Sequence, residues 1–228
     1  MRTITKGAEP ALLQAYRAVP GATYDGKDFT PVKDAVRTAL IRDQHALCCY
    51  CMRRVSSQER AHPTKLAAPP VVQMKVEHWR SQDSYSVLQL TWNNMLGACL
   101  GGMGSSPKDQ TCDTRKGEVA VTLNPLDSTH ISTLYCTSRG RLCSTNPQFQ
   151  NDIDERLGLN HKTLIGDREA RLTRELNRLI SKNPRDSISL VAVQKLIAEA
   201  ETPAEGRLAE HACVLRLWAR KRFGALTP

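Results

Sequence analysis

Apolar positions recur at helical spacing near both ends of the chain and lose that spacing in the middle. Val32, Val36, Ala39 and Leu40 follow Thr30-Pro31, an N-cap candidate with proline at the first helical position. A helix is expected there, and residues 1–47 read as mainly helical. From about Asp152 to Phe223 the helical period returns in three stripes. The first is Leu172, Leu176, Leu179 and Ile180, and the second is Leu190, Val193, Leu196 and Ile197. Leu208, Ala212, Leu215 and Trp218 form the third. Lys182, Asn183, Pro184 and Arg185 separate the first two. Residues 48–145 instead carry short alternating runs with Pro, Gly and Ser clusters, and the stretches 61–70 and 101–110 read as loops. The expected organisation is a helical N-terminal region (1–47), a central region of mixed structure (48–145) and a helical C-terminal region (146–228). The apolar stripes of the last region are core or, alternatively, a docking face for a partner.

With 228 residues, 40% hydrophobic and 24% charged, the composition is that of a globular protein rather than a disordered one. No run approaches the ~18 apolar residues of a membrane span, and the opening MRTITKGAEP has no apolar segment of a secretion signal. A soluble cytoplasmic protein with no membrane association is expected. Lys and Arg number 32 against 23 Asp and Glu, a net charge of +9 that suits a polyanionic partner. The excess is spread along the chain. Its densest cluster, Arg216, Arg220, Lys221 and Arg222, reads as the solvated last turn of a helix complementing the dipole.

In a reducing compartment the eight cysteines read as metal ligands or buried thiols, not as a disulfide framework. Cys48 and Cys51 have the C-x2-C spacing that lets two thiolates of one turn reach a tetrahedral Zn²⁺. Half a site needs another half, and Cys99 and Cys112 are the candidates, joined by a segment containing Gly101-Gly102-Met103-Gly104 that can loop out. Two buried free thiols are the alternative for Cys99 and Cys112. Cys49 could replace a neighbour, Cys136 or Cys143 could stand in for Cys112, and Cys213 on its apolar stripe reads as a buried thiol. The glycine run lacks the Lys of a phosphate-binding G-x-x-x-x-G-K-[ST] loop, so no ATP site is expected.

Three further segments interleave with these cysteines: Lys75-Val76-Glu77-His78-Trp79-Arg80, Trp92-Asn93-Asn94-Met95-Leu96-Gly97-Ala98-Cys99 and Cys112-Asp113-Thr114-Arg115-Lys116-Gly117. Acidic-His, then Asn ahead of a Cys, then Cys-Asp-x-x-Lys-Gly resembles the HNH endonuclease motif. The resemblance implies an α+β protein with a zinc-pinned ββα-metal finger embedded in a mainly helical chain. It implies His78 as general base and Asn94 as the residue that orients the finger or the His78 ring, with Asn93 the alternative. Glu77 and Asp113 would hold a catalytic Mg²⁺ or Mn²⁺, as hard oxygen ligands suit those ions. Cys48, Cys51, Cys99 and Cys112 would hold a structural Zn²⁺, while Arg115 or Lys116 would contact a phosphate. Asp113 departs from the Asn or His common at its position, so its metal role is inferred from chemistry and place.

The resemblance extends over most of residues 1–180. Met1-Arg2-Thr3-Ile4, Tyr24-Asp25-Gly26, Cys48-Cys49-Tyr50-Cys51-Met52-Arg53-Arg54 and Leu157-Gly158-Leu159-Asn160 are similar to PtuB-like HNH proteins of Septu-type anti-phage systems, relatives of which accompany some retrons. Ser81 stands where such proteins often have Pro, and the chain after about Pro184 matches nothing nameable. The family implies a nuclease effector working with a PtuA-like ATPase of the ABC/SMC type. DNA is the expected substrate, with RNA the alternative. One ββα-metal centre usually cuts one strand, so more than one copy per assembly is expected. The other function classes are a non-catalytic zinc module that binds nucleic acid or scaffolds a complex, and a stand-alone restriction-type HNH nuclease.

Overall fold

The computed structural model describes residues 1–61, 71–182 and 188–224. Helices α1 (Ala11–Arg17) and α2 (Thr30–Asp43) pack together near the N-terminus. On α2, Val32, Val36, Ala39 and Leu40 are the buried residues, as their spacing predicts. Thr30 is the first helical residue rather than the cap, no side chain caps the end, and Pro31 occupies the first turn. That placement suits a residue with no N–H to leave unsatisfied.

A small antiparallel pair, β1 (Glu59–Arg60) and β2 (Val71–Val72), leads into the central hairpin of β3 (Lys75–His78) and β4 (Met95–Ala98). Its register sets Glu77 opposite Leu96 and His78 opposite Met95. All four β4 residues are buried. Gln44, just past α2, seals this strand: its amide nitrogen donates to the Leu47 and Gly97 carbonyls at 2.8 and 2.7 Å, and its oxygen accepts from Gly97 N at 2.7 Å. A Cβ on Gly97 would stand 3.1 Å from that amide, so glycine permits the approach. After β4 the 101–110 stretch is indeed turns with one 3-10 turn, Pro107–Asp109. It returns so closely that a Cβ on Gly101 would lie 2.1 Å from the Thr111 carbonyl. The next helix, α3 (Cys112–Lys116), ends at Gly117, whose φ of 51° lies in the left-handed region that glycine tolerates. The order β3, β4, α3 is a ββα unit.

Beyond it come α4 (Ser128–Ser132), capped by the Asp127 carboxylate, the hairpin β5 (Leu134–Cys136) and β6 (Leu142–Ser144), and α5 (Pro147–Asn151), capped by Asn146. A π-type turn, Asp152–Arg156, precedes α6 (Lys162–Lys182), which is followed by α7 (Leu190–Ala200) and α8 (Val214–Phe223). Buried side chains from all three sequence regions join one hydrophobic cluster. Among the described residues no helix is long and apolar enough to cross a membrane.

Several C-terminal expectations are corrected. Ile180 is 53% exposed and Leu190 38% exposed, so each stripe loses its flanking member to solvent. Leu208 and Ala212 are buried, but they sit in the turn-rich segment before α8, where His211 takes a φ of 54° that a helix cannot accommodate. That segment is held instead by His211 N donating to the Met52 carbonyl at 3.1 Å and by the Glu210 carboxylate accepting from Arg54 N at 2.7 Å. The basic cluster of α8 is only half solvated. Arg216 makes a two-pronged pair with Glu201, and Arg220 donates to the Ile131 and Leu134 carbonyls. Lys221 and Arg222 remain exposed. In the break between α6 and α7, residues 183–185 lie outside the described residues, as do 62–70 of the first expected loop.

Candidate metal centre and active site

The turn after α2 carries Cys48, Cys49, Tyr50 and Cys51, and it docks on the hairpin because Cys49 N donates to the Gly97 carbonyl at 2.9 Å. Cys99 leaves the end of β4, and Cys112 opens α3 with its N–H bonded to the Leu157 carbonyl at 2.7 Å. The sulfurs of Cys48, Cys51, Cys99 and Cys112 consequently lie within 4.8 Å of one another, with Cys51 and Cys99 at 3.6 Å. A tetrahedral zinc with Zn–S bonds of about 2.3 Å sets its sulfurs roughly 3.8 Å apart, so the donor set and spacing fit that ion. Burial works against ionising Cys48, yet hydrogen bonds from the other thiols hold it well below the ordinary value, while Cys112, hydrogen-bonded to Cys48, is pushed up. A soft cation binds such thiols as thiolates, displacing their protons. Cys49, Cys136 and Cys143 lie outside it.

Beside the cluster, β3 delivers Glu77 and His78, and α3 delivers Asp113 and Lys116. Glu77 is 1% exposed and accepts a hydrogen bond from the Tyr50 hydroxyl at 2.7 Å, which ties the cysteine turn to the carboxyl. Lys116 Nζ stands 2.9 Å from Glu77 Oε1 and also donates to the His78 carbonyl at 2.9 Å. Asp113 pairs with Lys75 Nζ at 3.0 Å. The Glu77 and Asp113 carboxyls neighbour one another and influence each other's titration. Burial and Asp113 push Glu77 well above its usual range despite the opposing pull of Lys116 and Tyr50. Asp113 ends below its usual range: burial opposes that shift, but the contact with Glu77 and the charge of Lys75 outweigh it.

His78 is 5% exposed, its ring met edge-on by Tyr24 at 4.6 Å. Its Nε2 lies 2.9 Å from the Gln89 carbonyl. A carbonyl can only accept, so the proton sits on Nε2 and Nδ1 is the basic nitrogen. Burial lowers the His78 pKa, which keeps the ring neutral near pH 7. Asn94 makes no hydrogen bond to that ring among the described residues. Its side chain clamps the chain leaving β3, accepting from Arg80 N at 2.8 Å and donating to the Arg80 and Leu88 carbonyls at 2.9 and 3.2 Å. The neighbouring Asn93 is exposed.

The two cations suggested for phosphate contact are placed differently from one another. Lys116 is 2% exposed, with its ammonium turned inward to Glu77 and the His78 carbonyl. Arg115 is half-buried, donating from Nε to the Glu155 carbonyl at 2.8 Å. Sequence reasoning missed Tyr50 and Lys75. Tyr50 sits inside the C-x2-C turn, and Lys75 precedes Glu77 by one full period of a strand and so shares its face.

No protein-family model matches the chain. Among curated proteins it is 28% identical over 131 residues to one named "Retron Ec83 putative HNH endonuclease" from Escherichia coli, an alignment covering 51% of this chain and 46% of that protein. The chain thus spans under half the length of that relative.

Proposed function

We propose that this chain is a metal-dependent HNH endonuclease that hydrolyses phosphodiester bonds, with DNA the first substrate to test and RNA the second. The observation that carries the reading is the convergence, on one ββα unit, of Glu77, His78 and Asp113 beside four zinc-type cysteines. The likeness to a retron protein named as an HNH endonuclease supports it and points to phage defence.

In this reading His78 Nδ1 accepts the proton of the attacking water, its ring held in one tautomer by the Gln89 carbonyl. Asn94 is a positioning residue that fixes the chain just past His78. Glu77 and Asp113 fit a hard divalent ion by chemistry, being two neighbouring carboxyls. Bound there, Mg²⁺ or Mn²⁺ supplies charge neutralisation at the phosphate and the leaving oxygen. Lys75, with 32% of its side chain exposed, is the ammonium free to swing away from that pair, whereas Lys116 is enclosed. The four cysteines would carry a structural Zn²⁺ that holds the cysteine turn, the end of β4 and the start of α3 together. The finger would be the core of a central region, 48–145, between helical flanks. A PtuA-like ABC/SMC-type ATPase is the proposed partner, in a Septu-type or retron system with more than one nuclease copy.

A second reading, a non-catalytic zinc module, is favoured by the engagement of both carboxyls with lysines. Incubating the purified chain with plasmid DNA and with total RNA, in Mg²⁺ or Mn²⁺, separates the two. Metal-dependent cleavage of either polymer supports the nuclease, and the polymer cut names the substrate. Intact zinc and fold with no cleavage, alone or co-expressed with a PtuA-like ATPase, support the module.

A further inference from the structure

On the outer side of the cysteine turn run two clefts that share Arg53 and Glu210 in their walls. One, of about 330 Å³, is lined by Arg53, Arg54 and Arg60 and reaches Cys99 and Gly101. The other, of about 450 Å³, adds Arg171 and Arg174 from α6 and the buried His211. Five guanidinium groups from three separate segments line the clefts with Asp167 and Glu210; of these, Arg171 also pairs with Glu175, and Arg54 donates to the His45, Ala46 and Leu208 carbonyls. Asp167 is already bound by Arg53, at 2.7 Å from Nε, and Glu210 accepts from Arg54 N. Arg60 and Arg174 have no carboxylate partner among the described residues. At the floor, Arg171 Nε and His211 Nε2 are buried without a hydrogen bond, although Arg171 pairs through its other nitrogen with Glu175 at 2.7 Å and His211 Nε2 lies 3.7 Å from Asp167.

We infer that these clefts form one arginine-lined groove that binds the phosphate backbone of nucleic acid, a second attachment site apart from the Glu77–His78–Asp113 centre. It rests on the nuclease reading only for its purpose, to hold substrate while the centre acts. Arginines spaced along a groove match repeated phosphates better than a single anion, and the exposed Arg60 and Arg174 are the guanidinium groups free to meet them.

The test uses the full chain carrying His78→Ala, without divalent metal, titrated against a fluorescent 20-mer duplex and its single strand by anisotropy over a range of salt. Adding Arg60→Glu and Arg174→Glu, both solvent-facing changes, should weaken binding at least tenfold at low salt. The slope of log affinity on log salt should fall by about 1.8 for the duplex, about 0.9 for each lost phosphate contact. Bound zinc should be unaltered in both proteins. Equal affinity and slope with the arginines reversed, or no binding before they are reversed, overturns the groove. The readout needs neither His78 chemistry nor a catalytic metal, so the nuclease reading can fail while the groove stands, and the reverse.

Discussion

The ion pair between Lys116 and Glu77 offers a direct test of how the site is built. Both side chains are 1% exposed and their charged atoms are 2.9 Å apart, so this is not a surface pair worth ~1 kcal/mol or less. Breaking a buried pair by removing one partner costs about 3–5 kcal/mol. The hydrogen bond from Lys116 to the His78 carbonyl adds about 1 kcal/mol. Against this, Glu77 keeps its bond from Tyr50, and its raised pKa lets it take up a proton, which relieves the stranded charge. Lys116→Met, which keeps the side-chain volume, should therefore destabilise the zinc-loaded protein by about 3 kcal/mol. For a chain of 228 residues that corresponds to a drop of roughly 6–12 °C in Tm. Urea unfolding with unchanged m-value is the assay. In combination with Glu77→Gln the loss should be smaller than the sum of the single losses, by about 1–3 kcal/mol. A loss under ~0.5 kcal/mol for Lys116→Met, typical of surface substitutions, or strict additivity of the pair, would refute a desolvated Lys116–Glu77 contact.

Serine at Cys48, Cys51, Cys99 or Cys112 should abolish stoichiometric zinc measured by atomic emission, whereas serine at Cys49, Cys136, Cys143 or Cys213 should leave it in place. Asn94→Ala removes three bonds to the chain between β3 and β4, and denaturant titration should show a loss of about 2–4 kcal/mol. Burial holds His211 at about 4, below its ordinary 6.5. The folded state therefore resists protonation: its stabilising share is complete above pH 6.5 and is lost as pH falls toward 4, up to about 3 kcal/mol. His211→Asn should flatten the stability profile across that window in urea titrations at stepped pH.

The cysteine quartet was legible because thiol spacing is a local property and the glycines between Cys99 and Cys112 announce a chain that can fold back. Helix α2 was legible because its apolar positions follow a single period, whereas the hairpin was expected only from the resemblance to the HNH motif, since β4 is buried at every position. What stayed hidden depends on contacts between distant segments. Lys116 looks like a surface cation on paper; only the arrival of Glu77 from β3 gives its ammonium a partner indoors. Leu208 and Ala212 have helical spacing, yet docking on Met52 and Arg54 holds them in turns. Arg216 and Arg220 were taken up by Glu201 and by carbonyls of Ile131 and Leu134, partners no local pattern reveals.

The central proposal, hydrolysis at the Glu77–His78–Asp113 centre, is tested most directly by His78→Ala. The variant and the parent chain, matched for zinc content and Tm, would be incubated with plasmid and total RNA in Mg²⁺ and in Mn²⁺. Loss of a general base is expected to slow cleavage about 10²–10⁴-fold with zinc and fold retained. Cleavage at the parent rate by the His78→Ala protein would contradict the assignment of His78 and, with it, the proposed active site.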